Sequence, residues 1–231
     1  MNEIEKNRQY LKDLYIRNLT LGFKTVKVEN FEYFVNESGE LHVSRIYHYA
    51  GEERIVIPEE FDIFTSTMCR KKLKYLNMNN IYKSNVMLIV LPNLEYFTAN
   101  KLVSVHRDWK FVFTGASNLK YLYVDSMEAI ENRILKEMRH SLVEGSFKGV
   151  EKIGESSFHS FYNLEEIHLS KKCKYIGENA FEGCNSLRTV WFEGTEQEFN
   201  DIEIRTGNED FLKINAEFIK WSIVKGFIPL G

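Results

Sequence analysis

The sequence predicts a β-rich, right-handed solenoid of about seven leucine-rich turns of ~23 residues, with an N-terminal helix and capping elements at both ends. Three observations predict it. The chain contains a close internal duplication, a strand-like phrase recurs along its length, and apolar residues alternate within that phrase.

The duplication is read directly. Residues 150–158 run Val-Glu-Lys-Ile-Gly-Glu-Ser-Ser-Phe, and residues 173–181 run Cys-Lys-Tyr-Ile-Gly-Glu-Asn-Ala-Phe. Ile153 maps on Ile176, Gly154 on Gly177, Glu155 on Glu178 and Phe158 on Phe181, each 23 positions on. Leu164 and Ile167 map on Leu187 and Val190 at the same offset.

The recurring phrase is Leu-x-x-apolar-x-apolar. It occurs at Leu73–Met78, Leu94–Ala99, Leu119–Val124, Leu164–Leu169 and Leu187–Phe192. A degenerate copy starts at Leu142, and Arg54–Ile57 fits one further copy upstream. Residues 113–119 (Phe-Thr-Gly-Ala-Ser-Asn-Leu) parallel residues 181–187 as a second landmark. Alternation with period two gives one strand with one buried face. A single turn cannot bury its leucines alone, so turns stack and join their strands into a sheet over a continuous core. The Phe of each Ser-Phe or Ala-Phe pair is expected to fill the far wall. Gly154 and Gly177 are expected at bends with positive φ.

The ends follow. Ile4, Tyr10, Leu11, Leu14 and Tyr15 recur at helical spacing, which predicts an amphipathic helix over 3–18. It serves either as a lid on the first turn or as a docking element; both readings are open. Thr195-Glu-Gln-Glu198 is a capping box that opens a short helix. Beyond it, Phe211, Ile214, Phe218, Trp221 and Ile223 supply a terminal cap strand or helix. The expected organisation is therefore 1–30 helix and lead-in, 31–51 β-hairpin cap, 52–202 repeats and 203–231 C-terminal cap.

Composition bounds the function. The 231 residues are 44% hydrophobic and 27% charged, with net charge −3, so no basic nucleic-acid footprint is expected. No apolar run reaches the ~18 residues that span a bilayer. The N-terminus carries no apolar leader, so a full-length chain is expected in the cytoplasm. If a leader was removed, the expectation is the cell surface or secretion. Cys69, Cys173 and Cys184 lack CxxC spacing and read as buried thiols, not as a disulfide framework or nucleophiles. His159 and His168 have no ligand-spaced neighbour and read as surface histidines. No phosphate cradle, dinucleotide fingerprint or catalytic arrangement is found, so no cofactor, metal or enzymatic activity is expected. The basic run Arg70-Lys71-Lys72-Leu73-Lys74 reads as a solvated turn or, alternatively, as a contact for an acidic partner.

In each phrase the first, fourth and sixth residues point inward, so the third and fifth face out. Down the stack these are Arg54 and Val56, Tyr75 and Asn77, Tyr96 and Thr98, Tyr121 and Tyr123, Glu144 and Ser146, Glu166 and His168, Thr189 and Trp191. Tyr75, Tyr96, Tyr121, Tyr123, Glu166, His168 and Trp191 are the candidate partner-binding residues. Tyrosine and tryptophan present large rigid faces with a polar tip and dominate interface energetics. The competing reading is a stacked ladder that only stabilises the sheet.

Residues 176–187 resemble the BspA-type leucine-rich repeat family, with its pattern Ile-Gly-x-x-Ala-Phe-x-Gly-Cys-x-x-Leu. Residues 153–164 match with Ser157, Ser160 and Phe161 in place of Ala, Gly and Cys. The segment 31–43, running on to 56–60, resembles the hairpin cap and first repeat of that family, and 192–202 its C-terminal capping turn. The copies over 60–145 lack the Ile-Gly and Ala-Phe landmarks. The resemblance implies a protein-interaction or adhesion surface, and many members are secreted or surface-attached. The expected function is a non-enzymatic protein-binding module that uses the exposed face of the repeat sheet. The alternative is a surface adhesin or carbohydrate-binding protein that uses the same aromatics on a glycan.

Overall fold

The computed structural model describes residues 2–47, 53–64, 71–81, 83–84, 91–101, 104–105, 115–131, 134–212 and 216–218. Helix α1 (Glu3–Thr20) opens with a reciprocal cap. The Asn2 side chain accepts from the Glu5 amide at 2.8 Å, and the Glu5 carboxylate accepts from the Asn2 amide at 2.9 Å. Leu11 is buried, with Leu14 and Tyr15 packed beside it. The helix lies on the meander of β1 (Val26–Val28), β2 (Phe31–Val35) and β3 (Leu41–Ile46), whose neighbours pair antiparallel. Two contacts fix it there. The fully buried Tyr33 donates its hydroxyl to the Leu11 carbonyl at 2.9 Å. Arg8 grips both Asp62 oxygens, at 2.9 and 2.6 Å.

The stack has two β walls. The front wall is an eight-stranded parallel sheet. Its strands in order are β4 (Arg54–Val56), β6 (Tyr75–Asn77), β8 (Tyr96–Thr98), β10 (Tyr121–Tyr123), β12 (Glu144–Ser146), β14 (Glu166–Ser170), β16 (Thr189–Glu193) and β18 (Ala216–Phe218). The first seven fall on the phrases read from the sequence, in the same register. The eighth lies in the tail and continues the sheet, so the strand count exceeds the expected seven.

The second wall is absent from the sequence reading, because the phrase pattern implies one strand per turn. Short strands β5 (Ile63–Phe64), β7 (Lys83–Ser84) and β9 (Ser104–Val105) extend the N-terminal meander from β3. Further along, β11 (Ala129–Ile130), β13 (Lys152–Ile153), β15 (Tyr175–Ile176) and β17 (Glu203–Ile204) form a separate four-stranded parallel sheet. The Ile-Gly landmark is the end of such a strand. Two-residue strands leave no periodicity for sequence reasoning to detect.

Between the walls lies the core. Leu73, Leu94, Leu119, Leu142, Leu164 and Leu187 form one column, none more than 8% exposed. The far-wall phenylalanines stack as expected: Phe158 on Phe181 at 5.0 Å and 5°, and Phe181 on Phe211 at 4.4 Å and 14°. The degenerate turn at Leu142 explains itself. Gly145 occupies an inward position, and the Phe147 ring fills the space, so that a Cβ at 145 would meet it at 2.4 Å. The Phe113–Thr114 landmark and the side chains of Ile214, Phe218, Trp221 and Ile223 lie outside the described residues.

One expectation is corrected. Positive φ does not occur at Gly154 or Gly177; it falls two residues later, at Ser156 (53°) and Asn179 (55°). At Gly177 close stacking requires glycine instead, and at Gly154 the approach is tight, with a Cβ 3.1 Å from the Ile130 carbonyl oxygen. A Cβ on Gly177 would come 2.6 Å from the Glu155 amide nitrogen of the preceding turn.

The α2 helix (Glu196–Asn200) starts at Thr195 with the capping box read from the sequence.

Candidate functional site

The front wall places every predicted site residue on its outer face, in register. Arg54 pairs with Tyr75, Tyr75 with Tyr96, Tyr96 with Tyr121, Tyr121 with Glu144, Glu144 with Glu166 and Glu166 with Thr189. The second column aligns Tyr123, Ser146, His168 and Trp191. This follows from the repeat length, because a strand spacing of ~4.8 Å brings equivalent residues of successive turns together.

The side chains form a continuous web. The Arg54 guanidinium sits 3.7 Å over the Tyr75 ring, which stacks on Tyr96 at 4.4 Å and 9°. Tyr96 meets Tyr123 at 5.3 Å and Tyr121 at 6.3 Å, both tilted. Tyr123 donates its hydroxyl to Glu144 at 2.9 Å. His168 approaches the same Glu144 oxygen at 3.1 Å and stacks on Trp191 at 5.9 Å. The Trp191 indole donates to Glu166 at 2.7 Å.

Two residues of this web, Arg54 and Glu144, stand in the outward columns but are not among the aromatic-led candidates. Their register position was the signal that could have found them. Glu144 and Glu166 are like charges on adjacent strands, an arrangement that is repulsive by itself. Separate donors answer each carboxylate. His168 is therefore not the isolated surface histidine expected: its partner lies 24 residues away. His159 likewise meets Glu182, at 3.2 Å.

The electrostatics match this packing. Burial pushes the Tyr96 hydroxyl up to about 12, helped by neighbouring Tyr75 and Glu144. Burial, with Glu144 beside it, raises Tyr123 further still. Burial alone would raise the Glu144 carboxyl, but hydrogen bonds from His168 and Tyr123 outweigh it and hold the carboxyl below the ordinary range. Tyr121 is the most open ring of the web, 37% exposed.

The other candidates read as structure. Cys173 and Cys184 are buried free thiols, and burial pushes Cys173 up to about 11, away from thiolate chemistry. Cys69 lies outside the described residues, as does Arg70. Of its basic neighbours, Lys71 and Lys72 are exposed and Lys74 pairs with Glu53 at 2.9 Å. Among the described residues, no cluster of three His, Cys, Asp or Glu is placed to hold a metal. No described helix is long and apolar enough to cross a membrane.

A stack of strand-bearing turns over a leucine column, with an outward aromatic strip, defines a leucine-rich repeat solenoid. The profile described as BspA type Leucine rich repeat region matches residues 93–203 in six copies, so this segment carries repeats of that type. No curated protein matches the chain. Among solved structures, it resembles a leucine rich cell surface protein from Faecalibacterium prausnitzii A2-165, at 14% identity and TM-score 0.33, over 73% of this chain and 54% of that one. It also resembles a T. pallidum leucine-rich repeat protein, at 16% identity and TM-score 0.34, over 80% and 82% of the two chains. A third is a leucine-rich repeat protein from Bacteroides ovatus ATCC 8483, at 15% identity and TM-score 0.34, over 72% and 46%. The chain spans little more than half of the first of these proteins and less than half of the third.

Proposed function

We propose that this chain is a non-enzymatic protein-binding module whose contact surface is the strip from Arg54 to Trp191. One observation carries the reading. Six successive strands, β6 to β16, each display an aromatic or carboxylate side chain on the outward face of the front sheet, and Arg54 of β4 caps the run. Rigid aromatic area bordered by fixed hydrogen-bonding groups has the composition of an interface core. Preordering by stacking lowers the side-chain entropy lost on association. The glycan reading uses the same residues and predicts the same loss on substitution, so the ligand class must be measured directly.

Tyr121→Ser tests the proposal most cleanly, because this ring is the most exposed of the strip and its removal leaves the Tyr75–Tyr96 stack intact. A partner is first isolated by affinity purification from the native host, then titrated against wild type and variant by calorimetry. The expected result is at least a tenfold weaker Kd, about 1.4 kcal/mol, with an unchanged melting temperature. Unchanged affinity in the folded variant overturns the contact surface. Retained polypeptide binding with no response on a glycan array supports the protein reading; the reverse pattern replaces it with the adhesin reading.

A further inference from the structure

A second concavity lies away from the strip, at the N-terminal end of the stack. It is a crevice of about 320 Å³ between α1, the β1–β2 turn and the loop before β5. Its floor is apolar and aromatic. Leu11 and Phe61 are buried, and the Phe31 and Phe61 rings stand 5.7 Å apart at 42°, an open V. Tyr10, on α1, forms the outer wall and is 58% exposed. The polar component is one-sided: Glu29 and Glu60 both line the crevice, and no Lys, Arg or His does. Glu60 uses one carboxylate oxygen to accept from Asn7 at 3.0 Å. Glu29 forms no ion pair among the described residues. Arg8, on the same helix, is committed to Asp62 and to the Glu60 backbone carbonyl at 2.6 Å, so it does not neutralise the crevice.

We propose that this crevice binds a small free organic ammonium ion, an aryl- or alkylamine with an apolar body. The case rests on the charge and shape of the lining and is independent of the front strip. Two carboxylates without a cation create a negative potential. The Phe31 and Tyr10 rings keep exposed area at the crevice, and aromatic quadrupoles attract ammonium groups. The apolar floor takes the hydrocarbon body. The volume is at the low end of the range for small-molecule sites, ~300–1,000 Å³, which favours a ligand of about ten non-hydrogen atoms over a peptide segment.

The test is a titration of isotope-labelled full-length chain with 2-phenylethylamine at neutral pH, followed by amide shifts in two-dimensional NMR. 2-Phenylethanol and phenylacetate serve as neutral and anionic analogues of the same shape. Saturable shifts confined to α1, the β1–β2 turn and residues 59–61 are expected, with a Kd on the order of 1 mM. The alcohol should bind about tenfold more weakly and the acid not at all. The variant E29Q/E60Q changes only carboxylates. The carboxamide oxygen it introduces beside Asn7 can still accept that hydrogen bond, so the fold is expected to persist with an unchanged melting temperature. It should lose about tenfold in amine affinity and nothing in alcohol affinity. Tyr10→Ser should weaken both. The proposal is overturned by shifts that do not saturate, by phenylacetate or phenylethanol binding as well as the amine, or by amine affinity that survives E29Q/E60Q. Tighter binding of Nα-acetyl-lysine N-methylamide than of 2-phenylethylamine would also overturn it, since the natural occupant would then be a protein side chain.

Discussion

At the scale of single residues, two positions show how a turn is made to stack. Gly177 has no freedom to carry a side chain, because the preceding turn's backbone already occupies the space. Gly177→Ala is expected to destabilise the chain by about 2 kcal/mol or more, since backbone atoms cannot swing aside as a flexible side chain would. A urea midpoint that stays unchanged would contradict the close-approach account. Glu144 gives a pH-dependent case. Its carboxyl is held below 4.5 in the folded chain, so the folded state binds its proton less tightly than the unfolded one. Its stabilisation is therefore complete above the unfolded value and is lost as pH falls through the folded value. Glu144→Gln should flatten the acid limb of the stability curve. Tyr96 has the opposite sign. Its hydroxyl is raised from 10.0 to about 12, so stability is full below 10 and falls as pH rises toward 12. Tyr96→Phe should lessen that alkaline loss, measured as melting temperature against pH.

At the scale of elements, the stack is tied by more than its leucines. Asn93 donates to the Lys71 carbonyl at 2.6 Å, Asn118 to Pro92 at 2.6 Å and Asn163 to His140 at 2.7 Å. Each asparagine immediately precedes the first leucine of its phrase and reaches back one turn. Asn163→Ala is expected to cost about 1 kcal/mol, the usual net value of one such bond, because the carbonyls are near solvent. Chemical denaturation reads this. The helix α1 is held by Tyr33 and by the Arg8–Asp62 pair. Arg8→Ala should speed amide exchange in α1 while leaving 142–193 protected, because each turn contacts only its neighbours. Equal acceleration across the chain would show that the helix supports the whole stack.

At the scale of the whole molecule, repetition makes the solenoid divisible. Removing residues 155–177 deletes one 23-residue register and joins Gly154 to Glu178 in the same relation as Gly177 to Glu178. The shortened chain is expected to fold with a lower melting temperature and a single transition, checked by circular dichroism. It would place Glu144 against Thr189 and dissolve the Glu144–His168 contact, so the strip and the scaffold would respond differently.

Much of this arrangement is legible in the sequence. The leucine column, the seven front strands and the alternation of their faces follow from a register near 23, because equal spacing in sequence becomes equal position in a stack; Thr98 and Ser146, read as facing out, are instead buried, their hydroxyls bonded to Asn79 and Asp125. The capping boxes at Asn2 and Thr195 are local patterns; only the one at Thr195 follows a run whose end the repeat already marks. The short second-wall strands are hidden because two residues carry no period. The φ assignment fails because glycine serves close approach as often as positive φ, and only stacked neighbours tell which. His168 looks isolated in sequence because its partner sits on another turn.

The sequence by itself determined the repeat, its inward and outward faces, and the columns of side chains that share a wall, since these depend on spacing alone. Only the tertiary structure decided that Glu144 ties Tyr123 to His168, that Tyr75 lies flat on Tyr96, and that two carboxylates share a crevice with Phe31 and Phe61. Those relations depend on rotamers, on tilt and on the packing of α1 across the first turn, which are set by contacts between residues far apart along the chain.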